Sequence, residues 1–188
     1  GDNLLKKSDN MAWWTGADVL RQDGTKVHID TLLDALDQLV CLPKRETDKP
    51  MRMPVSGLYQ IKGVGDVVTG RIEQGIVKPK DEVVFLPTHT GSNACSGKVF
   101  SIEMHHSSIP QANPGDNVGL NMKGLVKTNM PRTGDVMVLQ KDSSLQTAGS
   151  FTAQVQILDI PGELKAGYCP TIYVRTGHSA CRLKKINW

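Results

Sequence analysis

Residues 53–75 read MPVSGLYQIKGVGDVVTGRIEQG, and how this stretch divides decides the fold. The glycine-rich KGVG at 62–65 lies between two apolar runs. A phosphate cradle needs a strand before such glycines and a helix after them, so that free helix amides meet the anion. Here Val67, Val68 and Thr69 follow. Their β-branched side chains favour strand over helix. The stretch therefore reads as a hairpin, with strands over 55–61 and 66–75 and a tight turn between them.

The same texture continues to residue 140. Candidate strands are EVVFLP (82–87), GKVFSIEM (97–104), NVGLNMKG (117–124) and DVMVLQ (135–140), separated by KPKD, THTGSN, NPGD and MPRTG. Short strands with turn residues between them and no crossover helix predict a mainly β fold, an antiparallel barrel or sandwich over 51–141. Helical periodicity occurs in DTLLDALDQLVC (30–41), where Leu32, Leu33, Leu36, Leu39 and Val40 share a face. Asp30 or Thr31 would cap that helix, and Pro43 would stop it. LPKRETDKP (42–50) reads as a polar linker. Beyond the barrel, SFTAQVQILDI (150–160) and TIYVRTGHSACRLKKI (171–186) predict two or three strands around a long turn. That is too few for a core of their own. With nothing for Trp13 and Trp14 to pack on at the other end, the expectation is a piece of a longer protein.

A net charge of +3 with a pI near 8.7 suits a polyanion partner without demanding one. No apolar run is long enough to span a membrane, and GDNLLKKSDN lacks the apolar core of a secretion signal. Cys41, Cys95, Cys169 and Cys181 contain no CxxC spacing, so they read as free thiols of a reducing compartment rather than a zinc or disulfide framework.

FSIEMHHSSIPQANPGDNVG (100–119) sets a carboxylate, Glu103, beside two imidazoles, His105 and His106. If the strand runs on through them, alternation puts Glu103 and His105 on one face and His106 on the other. Both imidazoles could not then reach one ion, so no metal site is expected. No GxSxG or cysteine–base motif supports a nucleophile, and Lys184 and Lys185 read as a solvated face. No catalytic residue is expected. NPGD (113–116) reads as a tight turn.

Several stretches together resemble the translation elongation factor one-alpha / elongation factor Tu family of GTPases. They are GDNLLKKSDNMAWW, TLLDAL, DKPMRMPVSGLYQIKGVGDVVTGRIEQGIVKPKDEVVFLP, KVFSIEMHH, NPGDNVG and FTAQVQILDIPGELKAGY, in that order over nearly the whole chain. FLPTHTGSNACSGKVF, GDVMVLQKD and HSACRLKKINW resemble the divergent elongation factor-like branch of unicellular eukaryotes. The resemblance implies that 1–42 is the C-terminal remnant of a GTP-binding domain, 43–50 a linker, 51–141 a complete second-domain β-barrel, and 148–188 the first half of a third. It places GTP and Mg2+ in a domain before Gly1, so this piece alone is expected to be inactive as a GTPase and to hold no cofactor. It implies cytoplasmic partners: aminoacyl-tRNA, the ribosome and a guanine nucleotide exchange factor, with no membrane. Carried over position by position, Ile61 and Val67 would wall a pocket for the terminal adenosine of tRNA, and Glu103 would hold it. His105 and His106 would flank the ribose and phosphate side, and Asn117 the amino acid. His106 stands where bacterial relatives often carry arginine, so phosphate pairing there would be weaker. Three competing readings are a release or rescue GTPase, a barrel serving mainly as a protein-docking module, and, last, a metal hydrolase.

Overall fold

The computed structural model describes residues 1–41, 43–87, 95–148, 153, 154, 156 and 162–185. Two units, Gly1–Lys44 and Arg45–Trp188, each have their own internal contacts. In the first, an Asp-Gly pair at 23–24 turns the chain between β1 (Ala17–Leu20) and β2 (Lys26–Ile29), with Gly24 at φ +85°. Sequence reasoning missed this hairpin, although Asp-Gly is a strong hairpin signal. The helix α1 (Leu32–Leu39) follows, capped by Thr31, whose hydroxyl accepts from the Asp34 N–H at 3.1 Å while the Asp34 carboxylate accepts from the Thr31 N–H at 2.9 Å. It ends at Leu39, ahead of Pro43. Trp14 is anchored after all, its indole N–H donating to the Asp30 carbonyl at 2.8 Å.

In the second unit, apolar residues at every second position drive the architecture. Val83 and Phe85, Val118, Leu120 and Met122, and Met137 are all at most 4% exposed, as expected of strands with one face inward. The strands are β3 (Met53–Ile61), β4 (Gly65–Arg71), β5 (Glu82–Leu86), β6 (Cys95–Met104), β7 (Ser107–Ser108), β8 (Asn117–Lys123) and β9 (Val136–Leu139). Their order is β5-β9-β3-β4-β8-β6, and β5 pairs back with β6, closing a six-stranded antiparallel barrel with β7 appended to β6. Closure leaves no edge among these six strands. The strand expected over 66–75 ends at Arg71, beyond which only an isolated bridge joins Arg52 to Gln74. Gly75 has φ +69°, and a Cβ there would lie 2.5 Å from the Met51 Cα, so only glycine fits.

The segment expected to be a linker is partly docked. The Arg45 guanidinium donates to the Asp116 carboxylate at 3.2 Å, and the Gly75 N–H to the Glu46 carbonyl at 2.8 Å. The β stretch expected over 171–186 holds a hairpin, β10 (Thr171–Val174) and β11 (Gly177–Ala180), with Arg175 in its turn at φ +54°. Its turn touches the barrel through an Arg175–Glu73 ion pair and a close approach of Gly177 to Gly134. Most of the strand expected over 150–160 lies outside the described residues. All four cysteines are free thiols. Burial in the core pushes the Cys95 thiol up to about 11.

A polar clamp joins the two ends of the barrel. The Arg52 guanidinium donates to the Asp142 carboxylate and, at 2.6 Å, to the Ser144 hydroxyl, while the Ser144 N–H donates to Asp142 at 2.8 Å. Burial opposes the charge on Asp142, but the Ser144 hydroxyl and N–H and the Arg52 guanidinium outweigh it and hold the carboxyl at about 2. Since this lies below the ordinary 3.8, the folded state binds fewer protons than the unfolded one. The contribution is full above about pH 5 and drains away as pH falls through 2. Urea unfolding should show Asp142→Asn costing on the order of 2 kcal/mol at pH 6 and nearly nothing near pH 2. A cost independent of pH would contradict this account of the clamp.

Candidate functional site

The register of three neighbouring strands builds the site. Glu103 of β6 sits opposite Gly119 of β8, and Gly119 sits opposite Thr69 of β4. Val118, Leu120 and Met122 point inward, so Asn117, Gly119 and Asn121 point outward. A Cβ on Gly119 would meet only the Val67 Cγ1, at 3.5 Å. The middle of the Thr69–Gly119–Glu103 row is therefore a depression. It belongs to an open groove of about 310 Å³ lined by Ser56, Thr69, Glu103, His105, Asn117 and Gly119, among others.

The histidine pair does not follow strand alternation. β6 stops at Met104, and Met104 pairs with Ser107 and Glu103 with Ser108. His105 and His106 are the two residues of the loop, at φ +50° and +61°, the left-handed pair of a type I′ turn. Holding non-glycine residues there costs about 1 kcal/mol each. The expectation that Glu103 and His105 share a strand face is thus corrected. The turn sets His105 in the groove wall, whereas His106 is exposed and absent from the lining. Among the described residues no cluster of three metal-ligating side chains occurs.

Asn117 reaches the groove by turn chemistry. Asn113, Pro114, Gly115 and Asp116 form a turn in which the Asp116 N–H donates to the Asn113 carbonyl at 3.1 Å and Gly115 takes φ +95°. Proline then glycine at the two central positions suits type II geometry. β8 begins immediately after, and Asn117 stands exposed opposite Arg71. Ile61 and Val67 do not line the groove. They form an apolar ledge beside it on the same outer face, Ile61 46% exposed at the end of β3 and Val67 half-buried between Tyr59 and Asn121. Sequence reasoning missed Ser56 and Thr69, whose hydroxyls lie 3.2 Å apart at the near wall. Alternation alone turns Thr69 outward beside buried Val68, but only the register shows that it faces Glu103.

The groove offers a carboxylate acceptor, two hydroxyls that donate and accept, a carboxamide that does both, and an imidazole. The arrangement suits a small polyhydroxylated ligand with an amino group better than bond-breaking chemistry.

Residues 65–138 match the family model described as "Elongation factor Tu domain 2". Two curated relatives, each described as "Elongation factor 1-alpha, oocyte form" of Xenopus laevis, are 42% and 41% identical over 186 residues. The match covers 99% of this chain and 39% of each relative, so the chain spans about two fifths of their length. The chain belongs to the elongation factor one-alpha / elongation factor Tu family.

Proposed function

We propose that this chain is the substrate-gripping part of a translation elongation factor that carries aminoacyl-tRNA to the ribosome, and that the outer groove holds the aminoacylated 3′ end. The observation that carries the reading is the convergence of Glu103, His105 and Asn117 on one groove across Gly119. Glu103 accepts from the ribose 2′-OH, the group by which proteins tell RNA from DNA. Asn117 meets the α-amino ester with a donor and an acceptor together. The terminal base lies on the Ile61–Val67 ledge, where stacking is worth roughly 1–3 kcal/mol whatever the base. His105 flanks the ribose, and His106 contacts the phosphate side. The domains proposed are those implied by the resemblance: a GTPase remnant over 1–42, the barrel over 51–141 and part of a third domain over 148–188.

GTP and Mg2+ belong to the remainder of the parent, since these residues contain no phosphate loop. There they would supply the switch that makes delivery nucleotide-dependent. The exposed groove face also suits an exchange factor, whose binding would compete with tRNA.

In the full-length parent, Glu103→Ala should weaken aminoacyl-tRNA binding by roughly ten-fold or more, the worth of a hydrogen bond to a charged group, with GTP affinity unchanged. A filter-binding titration giving equal tRNA affinities for variant and wild type would sink the assignment of Glu103.

A further inference from the structure

Beside the groove, β6 departs from regular pairing. Val99 pairs with Met122 but Ser101 with Asn121, so Phe100 is an extra residue with no partner on β8. Counted back from buried Ile102, alternation would turn Phe100 inward. The bulge instead leaves it 62% exposed while Val99 and Ile102 are both fully buried. Bulges of this kind re-aim side chains near functional sites. The Lys123 Nζ lies 5.2 Å from the centre of the Phe100 ring, within cation–π range. Lys98 has Lys123 on one side and Glu82 on the other. No ion pair holds Lys123 among the described residues. Glu103 lies three positions beyond Phe100 on β6, about 10 Å along the strand. Tyr59, 56% exposed, sits on the same outer face beside Val67.

An exposed aromatic face next to an uncompensated cation suits a single-stranded nucleic acid, which brings a flat base and a phosphate together. We propose that Phe100 and Lys123 form a second subsite for the nucleotide on the 5′ side of the terminal one. Phe100 stacks its base, and the ammonium of Lys123 swings on its flexible stem from the ring to the phosphate. The direction of this track rests on the groove being the 3′-end site. The stacking and charge argument does not.

The test uses the 188-residue chain and two probes: an amide-linked 3′-aminoacyl-adenosine, and a labelled single-stranded RNA 12-mer ending in that group. Phe100→Leu and Lys123→Gln should each lower affinity for the 12-mer by about ten-fold. Lys123→Gln should also reduce the slope of log affinity against log salt by about one. Affinity for the nucleoside probe should stay at the wild-type value in both variants. Lys123, at the surface, carries the test if the Phe100 variant folds poorly. Wild-type affinity and salt slope for the 12-mer in both variants would overturn the subsite. Patch-dependent binding of the 12-mer without wild-type binding of the nucleoside would keep the subsite and overturn the 3′-end groove. Binding of neither probe would overturn both.

Discussion

Gly119→Leu should abolish capture of the aminoacylated 3′ end while leaving the barrel folded. Gly119 faces outward, and a Cβ there finds only ordinary contact with Val67. Its φ lies outside the left-handed region that excludes larger side chains. A leucine in a strand interior carries no penalty of the kind glycine does, so the melting temperature should hold or rise. The leucyl branch, however, would stand in the depression between Thr69 and Glu103, where the ribose must sit. Affinity for aminoacyl-tRNA in the full-length parent should fall by ~100-fold or more, about 2.7 kcal/mol. The checks are a binding titration beside a thermal melt. Undiminished binding with an intact melt would show that the ligand lies elsewhere.

Phe85→Ala should have the largest effect on stability. The ring is fully buried in the barrel core, and truncating a buried phenylalanine costs about 3–5 kcal/mol through lost transfer energy and the cavity left behind. Against a domain stability of ~5–15 kcal/mol, that loss should be plain in urea unfolding. Phe100→Ala is the control. With its ring 62% exposed, it should change stability by no more than about 0.5 kcal/mol. Equal losses for the two variants would contradict the inward assignment of Phe85 on β5 and the outward assignment of Phe100 on β6.

Those two phenylalanines show where sequence reasoning reaches its limit. The strands around both were legible, because apolar residues recur with the period of the pleat. Pairing register was not, since it depends on which distant strands become neighbours and on bulges such as the one at Phe100. The depression at Gly119 arises from that register: a glycine flanked by threonine and glutamate from strands far apart in sequence. His105 and His106 failed for a local reason, because alternation was carried two residues past the end of a strand. The pair lacks the Asn-Gly, Asp-Gly or Gly-Gly signature of a type I′ turn, so nothing in the sequence marked the spot. The hairpin at 17–29 did announce itself through Asp-Gly, yet its strands bury little, with Leu20 70% exposed, so the apolar pattern was faint. The clamp from Arg52 to Asp142 was hidden for want of register as well, since ninety residues separate its partners.

Titrating the isotope-labelled chain with an amide-linked 3′-aminoacyl-adenosine and following backbone amide shifts tests the central claim most directly. The account predicts saturable shifts confined to the outer face of the barrel, at Thr69, Glu103, His105, Asn117 and Gly119 and along the Ile61–Val67 ledge, with the amides of α1 unmoved. Saturable shifts elsewhere, with those five residues silent, would contradict it.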